Sequence, residues 1–383
     1  MAYLGDHDLF EMVNTMLKVR LFQDSPIPLQ INLDCEPGSL HALVGPSGSG
    51  KTTILRMIAG LSSPPTGLIE NDGAIWFSAN QPSENNARLT AAQRPCGFLF
   101  QQYALFPHLN ALQNITIALQ NSGLGKSERI SLAQEWLARA GIADLWNRFP
   151  HQLSGGQQQR VALTRALVRN PRALLLDEPF SAIDMPTRKG LYKILGELRR
   201  EMRIPIILVT HDLREAELLA DQITIIDNGI SLQTAPPQTL FSKPRNSRVA
   251  ELVGLNNLYF GHFDSGRLSW DGSNHIFSVI DKGKIPAGHA VNWVIPQGAL
   301  SLHKVASATS FPVRITQISS IGQITSMHLQ IEGSQHIVNW EASSAEVLRL
   351  SVELGSLAHL EIDEEKIHIM PIRSINDPRR FQG

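Results

Sequence analysis

The sequence predicts two domains of different class: an α/β domain with a mostly parallel sheet and helices on its faces, then a smaller β-rich domain. Three observations carry this. The apolar run LHALV, Leu40 to Val44, leads into a Gly-rich turn and a helix-forming stretch, Thr52 to Ala59, the strand, loop, helix order of a phosphate-binding unit. Further apolar runs, ALLLD at Ala173 to Asp177, IPIILVT at Ile204 to Thr210 and ITIID at Ile223 to Asp227, are flanked by helical patterns such as Thr187 to Met202 and Asp212 to Ala220. After Leu255 the texture turns to short alternating runs, VNWVI, FPVRITQI, SMHLQI and HLEID, separated by turn residues.

Taken in order, the α/β domain occupies residues 1–242 and carries a helical insertion at about 102–170, where helical periodicity replaces strand signals. The Pro-containing stretch Ala235 to Arg245 closes it. A linker is expected at 243–255, with the helix-compatible Ser247 to Val253 inside it. Residues 256–383 form the β-rich domain, barrel-like in pattern, with one helical turn near Ser343 to Leu350.

With 383 residues and 43% apolar side chains, the chain has material for two buried cores and does not read as disordered. The formal net charge of −1, from 34 basic and 35 acidic side chains, predicts no broad attraction to nucleic acid or anionic lipid. Any membrane link therefore has to run through a protein partner. Cys35 and Cys96 stand in no metal-like spacing and fit two small buried hydrophobes in a reducing compartment. Asp6, Asp8 and Glu11 occupy the place where a secretion signal needs basic residues, so the chain is expected to stay in the cytosol. Ala104 to Gly125 is uncharged over the length of a membrane span, but Pro107, His108, Asn110, Asn114, Gln120 and Asn121 make it unfit for lipid.

GPSGSGKTT, covering Gly45, Pro46, Ser47, Gly48, Ser49, Gly50, Lys51, Thr52 and Thr53, satisfies the phosphate-loop pattern in the required strand-to-helix context. Its glycines let backbone N–H groups face a phosphate chain, Lys51 reaches the β- and γ-phosphates, and the Thr52 hydroxyl serves Mg²⁺. A phosphate-bearing ligand with Mg²⁺ is thus expected here, and ATP is what the resemblance below implies. ALLLDEP places Asp177 and Glu178 at the sheet's C-terminal edge, Asp177 for the Mg²⁺ shell and Glu178 to polarise the attacking water. Read alone, this acidic pair could equally cap the next helix. LSGGQQQR, Leu153 to Arg160, sets Ser154, Gly155, Gly156 and Gln157 at a helix start able to bind a phosphate; by itself it reads as an ordinary Ser N-cap.

These motifs together resemble the nucleotide-binding subunits of ABC transporters. The resemblance covers the first domain: Walker A at Gly45 to Thr52, a Q-loop glutamine at Gln101 in FLFQQYALFPH, the signature at Leu153 to Gln157, Walker B ending at Asp177 and Glu178, the D-loop SAID from Ser181 to Asp184, and the switch histidine His211 in VTHD. It implies an ABC ATPase fold and a site in which Glu178, His211 and Gln101 are catalytic. Thr52, Gln101 and Asp177 serve the metal, and Asp184 joins the nucleotide contacts. Phe22 matches the family's adenine-stacking aromatic, against the plainer reading of a phenylalanine in an N-terminal hairpin. His7, His41, His108 and His151 have no such support.

The resemblance further implies a dimer of two copies, with ATP held by Lys51 and Gly48 of one and covered by Ser154 and Gly155 of the other. Separate transmembrane permease subunits would contact the groove near Gln101 to His108, and a substrate-binding protein would act indirectly. The expected location is cytoplasmic, peripheral on the inner face of the membrane, with no nucleic-acid partner. The single cassette and β-rich tail look like bacterial importers whose ATPase subunits end in an OB-like domain, nearest those for molybdate, sulfate or related oxyanions, then polyamines and ferric iron. Where many relatives carry Arg-Pro-Glu the chain has Ile295, Pro296 and Gln297, and the D-loop has Ile183 in place of leucine. A ribosome- or DNA-directed ATPase would bring a second cassette or a long coiled coil, an exporter seldom such a tail, and a non-catalytic module would lack Glu178 or His211.

Overall fold

The computed structural model describes residues 16–25, 28–79, 87–181 and 183–372. The acidic N-terminal residues, His7 and Ala182 of the D-loop lie outside them. The chain divides into two compact units, one through Pro237 and one from Gln238.

The first unit is organised by a ten-stranded sheet. In chain order its strands are β1 (Leu17–Gln23), β2 (Leu29–Cys35), β3 (Leu40–Val44), β4 (Thr66–Asn71), β5 (Ala74–Ala79), β6 (Cys96–Leu99), β7 (Ala173–Asp177), β8 (Ile206–Thr210), β9 (Gln222–Asp227) and β10 (Ile230–Ala235). They lie in the order β5-β4-β1-β2-β10-β9-β3-β8-β7-β6. The run β9-β3-β8-β7-β6 is parallel. The strands β3, β7 and β8 are buried at every residue, which is why they read as unbroken apolar runs. The strands β1, β2, β4 and β5 extend the sheet antiparallel, and β1 and β2 alternate buried and more exposed positions as one-sided strands do.

The helices of this unit are α1 (Lys51–Ala59), α2 (Ala111–Thr116), α3 (Lys126–Arg139), α4 (Gly155–Leu167), α5 (Met185–Met202) and α6 (Leu213–Leu219). One core beneath α1 joins Ile54, Leu55 and Ile58 to Leu43, Leu175 and Val209. Each such fully buried aliphatic side chain contributes ~1.5–3 kcal/mol. The helical insertion has a core of its own, with Ala111, Ile115, Leu137, Ile142 and Val161. Asn114, one of the polar groups that spoke against a membrane span, is fully buried; its amide donates to the carbonyls of Phe106, Leu109 and Asn110 and accepts from Phe106 N. No helix among the described residues is long and apolar enough to cross a membrane.

Two short helices, α7 (Pro237–Ser242) and α8 (Ser247–Leu252), precede the β-rich part. Within 243–255, α8 buries Val249 and Ala250, and Ala250 packs with Val294 and Met370. The strands of the second unit are β11 (Leu258–Asp264), β12 (Arg267–Trp270), β13 (Ile276–Ser278), β14 (His289–Val294), β15 (Leu300–His303), β16 (Phe311–Ile321), β17 (Ile324–Ile331), β18 (Ile337–Ser343), β19 (Leu357–Ile362) and β20 (His368–Pro371), with α9 (Ser344–Leu350) between β18 and β19. They form two five-stranded sheets, β13-β12-β11-β14-β20 and β15-β19-β16-β17-β18. Phe263, Trp270 and Trp293 of the first share one core with Val313, Leu329, Trp340 and Leu360 of the second.

Candidate active site

The loop between β3 and α1 is shaped by glycines at positions that disfavour a side chain. A Cβ on Gly45 would lie 2.0 Å from the Ile226 carbonyl oxygen, and Gly48 and Gly50 have φ of +81° and +96°. Lys51 is only 6% exposed. Its ammonium donates to the carbonyls of Gly45 and Pro46, both at 2.8 Å, so it lies folded into the loop. Burial pushes its pKa down, opposed by the nearby carboxylates of Glu178 and Asp177. Ser49 is buried, Ser47 exposed and Thr53 half-buried.

One residue on from Lys51, the Thr52 hydroxyl donates to Asp177 Oδ1 at 2.9 Å. Asp177 ends β7 and is 3% exposed; burial raises its pKa, Thr52 lowers it and Glu178 raises it further. The pair is an all-oxygen donor set of the hard kind Mg²⁺ prefers, and among the described residues no three His, Cys, Asp or Glu side chains cluster as a metal cage. One carboxylate and one hydroxyl suit a cation that takes its other ligands from substrate phosphates and water.

Glu178 follows with φ of +45°, a left-handed conformation rare for a residue with a side chain, while its N–H donates to Val209 O at 3.0 Å. That turn sets its carboxylate between two other strand ends. Gln101, just past β6, donates through Nε2 to Glu178 Oε2 at 2.9 Å. His211, just past β8, has Nδ1 3.4 Å from Glu178 Oε1. The residues expected to be catalytic thus meet in space although they come from distant parts of the chain.

Ser154 is the N-cap of α4, with a reciprocal box: Gln157 N donates to Ser154 Oγ at 3.4 Å and Ser154 N to Gln157 Oε1 at 2.9 Å. Gly155 begins the helix. Gly156 answers a packing need, because a Cβ there would lie 2.2 Å from Thr187 Cγ2. The buried Gln159 donates to Pro179 O, tying α4 to the segment after Glu178. Asp184 caps α5 by accepting from Thr187 N, and the Thr187 hydrogen bonds hold its carboxyl below the usual range. Phe22 on β1 is 48% exposed. Among the described residues, Ser154, Gly155, Gly156, Gln157, Asp184 and Phe22 stand outside the contacts that join Thr52 to Asp177 and Gln101 and His211 to Glu178. The roles of Gln159 and Thr187 carry no local sequence signal, since both rest on helix-to-core packing.

A glycine loop with a buried lysine at the head of α1, and three polar side chains converging at the C-terminal edge of a parallel sheet, define a nucleotide-phosphate-binding α/β protein. The family model described as ABC transporter matches residues 29–181. The chain is 33% identical over 346 residues to the sulfate/thiosulfate import ATP-binding protein CysA of Bacillus cereus, covering 88% of this chain and 93% of that protein. It is 42% identical over 228 residues to the Fe(3+) ions import ATP-binding protein FbpC of Rhizobium etli, covering 60% of this chain and 62% of that one. A solved dimeric ABC transporter cassette aligns with 58% of this chain and 98% of its own at 31% identity, with a TM-score of 0.49. The chain belongs to the importer-type ATP-binding subunits of ABC transporters, and it is an ATP hydrolase.

Proposed function

We propose that this chain is the ATP-hydrolysing subunit of an importer, and that two copies close around two ATP molecules. Each nucleotide lies on residues 45–53 of one copy, with Lys51 and the loop N–H groups on its phosphates and Phe22 against the adenine. Ser154, Gly155, Gly156 and Gln157 of the other copy cover the γ-phosphate, and Asp184 lies at the seam. The observation that carries the reading is the convergence of Gln101 and His211 on Glu178.

Glu178 orients water and accepts its proton as the water oxygen attacks the γ-phosphorus and the bond to the ADP oxygen breaks. His211 contacts the γ-phosphate and orients Glu178; Gln101 links the site to the groove running to His108, where a permease subunit docks. Thr52 and Asp177, with Gln101, would hold Mg²⁺, which would supply positive charge against the β- and γ-phosphates. ATP closes the pair and hydrolysis reopens it, which drives separate transmembrane subunits served by a substrate-binding protein. The chain then works in the cytoplasm on the inner membrane face, without nucleic acid.

For the second unit we favour an OB-like accessory or regulatory domain, supported by its short antiparallel strands around one core. For the solute we favour an oxyanion such as sulfate or molybdate, supported by the CysA relative, although an Fe(3+) import relative also matches across both units. Ferric iron is the alternative, supported by the higher identity to FbpC over 228 residues.

Lys51→Ala tests the site: nucleotide titration of the purified chain is expected to show affinity lost. Wild-type affinity in that variant would remove the assigned loop. Uptake of labelled sulfate against labelled iron, with and without the gene, decides the solute.

A further inference from the structure

Outside the groups assigned above, a buried carboxylate paired with a half-buried arginine sits next to the site. Glu215 on α6 is 5% exposed, and Arg188 in the first turns of α5 is held against it, Nη1 to Oε1 at 3.2 Å. The other Glu215 oxygen accepts from the Thr210 hydroxyl at 2.5 Å, and that same hydroxyl accepts from Asp212 N at 3.0 Å. The Thr210 hydroxyl thus links Glu215 to the backbone N–H that follows His211. Arg188 Nη2 donates to the Phe180 carbonyl at 3.1 Å, two residues beyond Glu178, and Nη1 lies 3.6 Å from Asp212. Phe180 is itself buried, edge-on to Tyr192 of α5.

Followed round, these contacts close a ring. It runs from Glu178 through the segment to Phe180, across Arg188 to Glu215, to Thr210, to His211, and back to Glu178 at 3.4 Å. An ion pair that only fastened α5 and α6 to the sheet would not need to grip the residues flanking both site groups. Arg188 also sits one turn from Asp184, the D-loop residue that caps α5.

We propose that Arg188 and Glu215 are positioning residues for ATP hydrolysis: together they set the approach of His211 to Glu178 and couple it to the D-loop. This rests on the reading that Glu178 and His211 act on ATP. Removing Arg188 outright leaves the buried Glu215 without its cationic partner, so conservative changes are the informative ones. Glu215→Gln keeps an acceptor for Thr210 and loses the charge facing Arg188. Arg188→Lys keeps the charge and loses the fork that spans Phe180 and Glu215.

The test is ATP turnover of the full-length chain, followed as labelled phosphate release, for each variant alone and combined with His211→Ala. Each single variant is expected to lower kcat about tenfold or more, with KM for ATP within about twofold of the parent, and to add almost nothing in the His211→Ala background. A folded variant with kcat within about twofold of the parent, or a loss of equal factor with His211 absent, overturns the pairing. If either single variant melts below the assay temperature, the Arg188→Met, Glu215→Gln double, which leaves no lone charge, is judged on the same criteria. His211→Ala retaining full turnover would instead overturn the reading of the site, a result distinct from failure of the pair.

Discussion

Gln101 donates its side-chain N–H to Glu178 Oε2 at 2.9 Å, which joins the segment after β6 to the end of β7. The contact places the residue assigned to the permease interface directly on the residue assigned to water.

Glu178→Gln keeps the size of the side chain and an acceptor for Gln101, and removes the base. ATP binding is expected to survive while turnover falls by roughly 10²–10⁴. Sizing in the presence of ATP should trap a dimer. Full turnover in the variant would reject Glu178 as the base.

Gly156 is expected to tolerate no methyl group. Gly156→Ala should destabilise the first unit by about 1–3 kcal/mol, because the new Cβ overlaps Thr187 Cγ2. Thr187→Ser deletes that methyl and leaves the backbone N–H that Asp184 accepts. It should therefore restore much of the loss in melting temperature, and a double variant no more stable than Gly156→Ala would show the cost lies elsewhere.

The second unit should carry its own acid sensitivity at His368. Burial, helped by Lys282 and Lys243, pushes this histidine down to about 4, against the Pro244 carbonyl that accepts from Nε2 at 2.9 Å. The unfolded chain takes up the proton near pH 6.5 and the folded one near 4. The contribution is therefore fully present above pH 6.5 and lost as pH falls from 6.5 towards 4. Melting of the full chain across that window should show a slope that His368→Gln flattens; an unchanged slope would assign it to other groups, His41 among them.

What could be read from the sequence follows from how each element is buried. The strands β3, β7, β8 and β9 were legible because parallel strands covered on both faces become continuous apolar runs. The strands β4 and β5 were not, since TGLIEN and AIWFSA mix polar and apolar residues without clean alternation, and β6 has only four residues. The phosphate loop was legible because its chemistry is local, glycine conformation next to a lysine. Ser154 reads as an N-cap in sequence and is one in the fold. The meeting of Gln101, Glu178 and His211 could be expected from the family resemblance but not from spacing, for it depends on which strands are neighbours. Arg188 and Glu215 were invisible, because a charged residue on a helix reads as solvated until packing buries it.

If the site is shared between two copies, as proposed, two inactive variants should complement each other when mixed. Lys51→Ala and Ser154→Arg are each expected to be inactive alone. Combined, they should regain ATP turnover at the one composite site that has both Lys51 and Ser154 intact, and wild-type turnover per chain should rise with protein concentration. A mixture that stays inactive, with wild-type turnover per chain constant down to high dilution, would mean that one chain holds the complete site and would contradict the account.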